Sequence, residues 1–133
     1  MAVTVIEMLS DSLRLINVIR TNQSPTAEMG VSGMRSLNEL MADWAADGIR
    51  LGWHPVASQS EDLPLREEDL RAVKFNLACE LAGGYGLDPP AAVLEVAKLT
   101  YARLAKLALQ YFESDLDMLP TAEPYGTMAW PLG

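Results

Sequence analysis

The sequence predicts an all-α domain, a four-helix bundle with a short extended arm or hairpin between its second and third helices and an extended C-terminal segment. Three observations carry this. Apolar residues recur at three- and four-residue spacing in four stretches. Half of the 133 residues are apolar while only 7% are aromatic, so the interior is filled by Leu, Val, Ile, Met and Ala. Finally, each stretch is bounded by Pro, Gly or a short polar side chain, the residues that start and stop helices.

Helix one is expected from about residue 5 to 20. Thr4 with Glu7 three residues on forms a capping box, and Ile6, Leu9, Leu13 and Ile16 share one face while Asp11 and Arg14 face water. The polar linker Thr21-Asn22-Gln23-Ser24 ends at Pro25, which suits a first helical turn, so helix two starts there. Its stripe is Ala27, Val31, Met34, Leu37, Leu40, Met41 and Trp44. Gly30 and Gly33 lie inside it, each costing up to about 1 kcal/mol relative to Ala, and its first two turns are expected to be irregular. Gly48 can take the left-handed conformation that ends the helix.

Beyond Gly48 the period changes. Ile49, Leu51 and Trp53 alternate with Arg50, Gly52 and His54, the pattern of a short half-buried strand or extended arm, and Pro55 and Pro64 bracket a polar loop. Helix three opens in the acidic turn Arg66-Glu67-Glu68-Asp69, where carboxylates favour the positive end of the helix dipole. It buries Leu70, Val73, Leu77 and Leu81 and stops at Gly83 and Gly84. Asp88-Pro89-Pro90 starts helix four, in which Val93, Val96, Ala97, Thr100, Leu104, Leu107 and Tyr111 keep helical spacing without a breaker. From Glu113 the pattern gives way to acids, then Pro120, Pro124, Gly126 and Pro131. The chain therefore divides into a helical domain, 1–112, and an extended segment, 113–133.

That segment is too apolar for an inert terminus. Tyr125, Met128, Trp130 and Leu132 have little local structure to bury them, so a partner surface is expected to cover them.

Charge narrows the partners. The net charge is -8, and the ten Lys and Arg residues form no run against eighteen acids, which argues against gripping a phosphate backbone. Lys98, Arg103 and Lys106 are spread over three turns and are assigned to solvent. An acidic wall past which DNA slides without sticking is compatible with this balance. Cys79 is the single cysteine, inside an apolar helix, so no internal disulfide is expected and its role is packing. No leader-like segment and no span of the ~20 apolar residues that cross a bilayer is evident, so a soluble product made in a reducing cytoplasm is expected.

Catalytic groups are sparse. His54 is the sole histidine and has no second ligand at metal spacing, so no metal or other cofactor is expected. Glu67 with Asp69, or Asp43 with Asp47, could in principle serve acid and base roles on a glycosidic bond, but nothing apolar is placed to raise one pKa. Gly83-Gly84-Tyr85-Gly86 lacks a preceding strand and a Walker lysine, and reads as helix termination. Trp44, on a Leu and Met stripe, reads as core. Two classes stay open on these residues: an assembly component, and a small cell-wall hydrolase or helical regulatory binding domain.

The run Leu40-Met41-Ala42-Asp43-Trp44-Ala45-Ala46-Asp47-Gly48-Ile49, followed by Ala72-Val73-Lys74-Phe75-Asn76-Leu77-Ala78-Cys79 and Tyr85, resembles the tail accessory factor, or head-to-tail adaptor, family of tailed bacteriophages over roughly positions 4 to 112. The resemblance implies a non-enzymatic virion protein at the head-tail junction. It also implies a homo-oligomeric ring of twelve under the portal protein that extends the DNA channel without specific DNA binding and carries a downstream tail protein. Leu40, Met41, Trp44, Gly48 and Leu77 are then architectural. Tyr125, Met128, Trp130 and Leu132 would reach the portal or a neighbouring subunit, and Trp53 and His54 would be loop contacts on the tail side. No membrane is involved.

Overall fold

The computed structural model describes residues 2 to 118, with side chains through Ser114. Four helices follow one another: α1 (Val5–Leu15), α2 (Ala27–Ala46), α3 (Glu67–Gly84) and α4 (Ala91–Met118). The domain is an all-α bundle in which α3 packs against each of the other three, and no strand occurs among the described residues.

The capping box at α1 is formed: Glu7 N donates to Thr4 Oγ1 at 3.3 Å, and Glu7 Oε1 accepts from Thr4 N at 2.8 Å. The next amides are served from far along the chain, with Val5 N donating to Glu61 O and Ile6 N to Gln59 O, both at 2.9 Å. Donors that a helix start leaves orphaned are thus paired by the loop before α3, through an isolated antiparallel bridge between Thr4 and Asp62. That loop is itself tied by Glu61, whose Oε1 accepts from Ala57 N at 2.7 Å and Ser58 N at 2.8 Å. These two hydrogen bonds hold the Glu61 carboxyl below its ordinary 4.5. A carboxylate with a depressed folded pKa contributes stability that is present above the unfolded value and lost as pH falls through the folded one. Protection of the Ala57 and Ser58 amides, relative to their intrinsic exchange at each pH, should therefore fall as pH drops below 4.5, and Glu61→Gln should weaken that dependence.

Helix one is shorter than its periodicity predicts. It ends at Leu15, because Asn17 takes φ 63 and closes a double turn, with Asn17 N bonded to Arg14 O at 3.1 Å and Val18 N to Leu13 O at 3.0 Å. Asn accepts the left-handed region more readily than other non-glycine residues, yet nothing in its neighbours announces that it will. Ile16 and Ile19 are buried all the same, from the turn rather than the helix.

The start of α2 is continuous, not irregular, with Thr26 Oγ1 accepting from Met29 N at 3.2 Å in place of a start at Pro25. Gly33 is where α1 comes close: a Cβ there would lie 2.9 Å from Leu9 Cδ2. Its missing side chain sets the approach of the two helices and does not break either. Leu37, Leu40, Met41 and Trp44 are buried as the stripe requires, whereas Ala27 and Val31 turn outward. The helix ends at Ala46 and is turned by Gly48, φ 91, with Ile49 N bonded to Trp44 O at 2.9 Å and both side chains buried, the pattern expected of this stop.

The arm keeps its predicted alternation, with Ile49 buried, Leu51 and Trp53 half-buried, and Arg50, Gly52 and His54 exposed. It pairs with no strand. Asn38 of α2 holds it instead, bonding both backbone groups of Val56 at 3.0 Å.

Along α3, Ala72, Val73, Leu77, Ala78, Leu81 and Ala82 are buried, while Leu70 is only half-buried. Asp69, 2% exposed, is matched by Arg66 Nε at 3.2 Å. Gly83 and Gly84 lie within the last turn, and the left-handed residue is Gly86, φ 70, with Leu87 N bonded to Ala82 O at 2.9 Å. Helix four returns antiparallel to α3, held by Val93, Ala97 and Leu104 and by Asn76 Nδ2 donating to Ala97 O at 3.1 Å.

Candidate assembly surface

Helix three has 18 residues and α4 has 28. At ~1.5 Å per residue, α4 is longer than the helix it packs on by about 15 Å. Arg103 Nη2 lies 3.5 Å from the carbonyl of Glu68 in the first turn of α3, and beyond it Leu104, Ala105 and Ala108 still pack against the core. The last turns of α4 project past the start of α3.

The apolar pattern continues into the projection. Leu104 is buried, but Leu107 is 40% exposed, Leu109 57%, Tyr111 66% and Phe112 59%. Leu107 and Tyr111, expected on the core stripe, therefore leave the core, because periodicity specifies a face and not the length of the helix that will cover it. From Leu107 to Phe112 the helix is apolar on most sides, with Gln110 the polar exception, a composition found in helices that are surrounded. The helix also runs through residues 113–118, which were expected to be extended. Glu113, Asp115 and Asp117 fall there, and no basic residue occupies the last turn. Negative residues at the negative end of the dipole are unfavourable, so nothing local selects this extension.

Leu40, Met41, Trp44 and Leu77, expected to be architectural, sit in the core, and the Trp44 ring lies 5.7 Å from that of Tyr101 of α4, tilted by 60°. Tyr101 donates its hydroxyl to Asp47 Oδ2 at 2.9 Å, a bond that raises its pKa above the usual tyrosine value by favouring the protonated form. Trp53 and His54 separate: the indole packs against the core with Nε1 lacking a hydrogen-bond partner among the described residues, and the imidazole is exposed with Nδ1 3.3 Å from Pro55 O. Tyr125, Met128, Trp130 and Leu132 lie outside the described residues.

The residues considered for catalysis do not converge. Asp47 serves Tyr101, Asp69 serves Arg66, and Asp43 and Glu67 are exposed. An open groove beside α1, of about 780 Å³, contains Glu7, Asp11 and Glu67, but Glu7 closes the capping box and Asp11 pairs with Arg14 at 3.2 Å, so Glu67 has no second free carboxylate beside it there. Among the described residues no cluster of His, Cys, Asp and Glu could hold a metal ion. Cys79 is half-buried, and loss of solvent pushes its thiol pKa up, away from reactivity. Among the described residues no helix is long and apolar enough to cross a membrane.

The family model described as P22 tail accessory factor matches residues 23–117, from the linker before α2 to the projecting end of α4. The chain belongs to the P22 tail accessory factor family. No curated protein matches it. The family assignment and the all-helical fold make it a structural protein of the phage tail and head-completion kind. The match spans α2, α3 and α4, so the projecting helix lies inside the family region.

Proposed function

We propose that this tail accessory factor is a head-to-tail adaptor: copies form a closed ring, of twelve, beneath the portal, extend the DNA channel, retain packaged DNA and present a platform to the next tail protein. The observation that carries the reading is the apolar end of α4, which the other described residues leave uncovered and which lies in the family-matched region. A repeated heterologous contact closes into a ring when its rotation divides the circle. The net charge of -8 suits a channel wall that repels DNA, since no basic run is available to hold it. The C-terminal residues Tyr125, Met128, Trp130 and Leu132 are proposed on composition to reach the portal or a neighbouring copy, and His54, exposed on the arm, with Trp53 to mark the tail-facing side.

A cell-wall hydrolase would need two convergent free carboxylates, and the pairs present are either exposed or engaged elsewhere. The adaptor reading is tested by sedimentation of the chain with its portal. Co-migration at a multiple of the chain supports it, and independent migration at every concentration contradicts it.

A further inference from the structure

We infer that neighbouring copies join through the projecting end of α4 on one copy and the outward flank of α2 on the next. The contact rests on the ring reading and supplies its residues.

On α4, Lys106, Leu109 and Glu113 follow at i, i+3 and i+7, so they share one face, and all three are exposed. On α2, Val31 is an exposed apolar residue on the flank away from the core, and together with Met34, Arg35, Asn38, Glu39 and Ala42 it lines a shallow groove of about 430 Å³. Arg35 and Glu39 are exposed, one turn apart. None of Arg35, Glu39, Lys106 and Glu113 belongs to an ion pair among the described residues, although other exposed charges, such as Asp11 with Arg14, do.

Each face thus offers one cation and one anion beside apolar surface. Running α4 of one copy antiparallel to α2 of the next puts Glu113 at Arg35 and Lys106 at Glu39, with Leu109 over the groove. The parallel arrangement would set Lys106 against Arg35 and Glu113 against Glu39. Like charges so placed disfavour it, and the pairing therefore fixes direction and register more than it adds affinity. The affinity comes from Leu109 and Phe112 leaving water. Both halves are on one chain but on different elements and different faces, so one copy cannot satisfy itself and a two-fold pair is not required. In a ring the same contact repeats by one rotation and is heterologous. Because rotation alone relates copies in a closed ring, the projecting end and its seat share one height.

Site-directed cross-linking tests this in the full chain assembled on its portal, with Cys79→Ser as background. Val31→Cys and Phe112→Cys on the same chain, treated with a short bifunctional maleimide, should give a ladder of covalent multimers up to the complete ring. An equal mixture of the two single variants should give dimers only, and each variant alone none. Arg35→Glu should block ring closure and the added Glu113→Arg restore it. Rings that form without the 31–112 cross-link, self-linking by Phe112→Cys alone, or its attachment to the portal would overturn the contact and leave the adaptor reading intact. Absence of any ring from the unsubstituted chain would overturn both.

Discussion

Trp44→Ala is expected to destabilise the domain by about 3 to 5 kcal/mol, read as a fall in the melting midpoint of roughly 10 °C or more. The indole is 4% exposed and fills the space between α2 and Tyr101 of α4. Trp44 also stands at the stop of α2, where Ile49 N bonds to its carbonyl, so truncation opens a cavity beside the helix stop. The Tyr101 hydroxyl donates to Asp47 and not to Trp44, so the substitution removes packing and no side-chain hydrogen bond of the indole. An unchanged denaturant midpoint would mean that α2 and α4 do not meet at Trp44.

The second large effect separates folding from assembly. Leu109→Asp combined with Phe112→Asp should leave helical content and melting midpoint nearly unchanged, since both side chains are more than half exposed and lie on the part of α4 that outruns α3. Assembly with the portal should weaken at least a hundredfold, because apolar anchors at the centre of a contact carry much of its energy and buried charge opposes it: about 2.7 kcal/mol on that scale. Sedimentation measures the assembly and circular dichroism the fold. Loss of helix in the variant would show that the projecting end supports its own domain, and normal assembly would show that it is not an interface.

Much of the architecture was legible because it depends on local rules. Thr4 with Glu7, Gly48 after Trp44, and Asp88 before two prolines announce helix boundaries through backbone hydrogen bonding that a few neighbouring residues decide. The misses share a different cause. Gly33 reads as a weak point in a helix until Leu9 is seen against it, and the left-handed turn at Asn17 depends on tertiary burial of Ile16 and Ile19.

The candidate surface was the least legible part. Leu107 and Tyr111 have the spacing of core residues, and only the length of α3 shows that among the described residues they stay exposed. Two signals were present: the Leu107 to Phe112 stretch is apolar on most sides, and three acids crowd the negative end of the same helix. Both are unfavourable in an isolated domain, and both are the kind of local inconsistency that marks a functional surface.

The central claim is that the projecting end of α4 is covered by assembly into a ring on the portal. Electron cryomicroscopy of the chain mixed with its portal tests it most directly. The account predicts a closed ring of twelve copies, with Leu109, Tyr111 and Phe112 buried against protein. A lone monomer or two-fold dimer with no portal affinity, or a ring that leaves these three side chains in water, would contradict it.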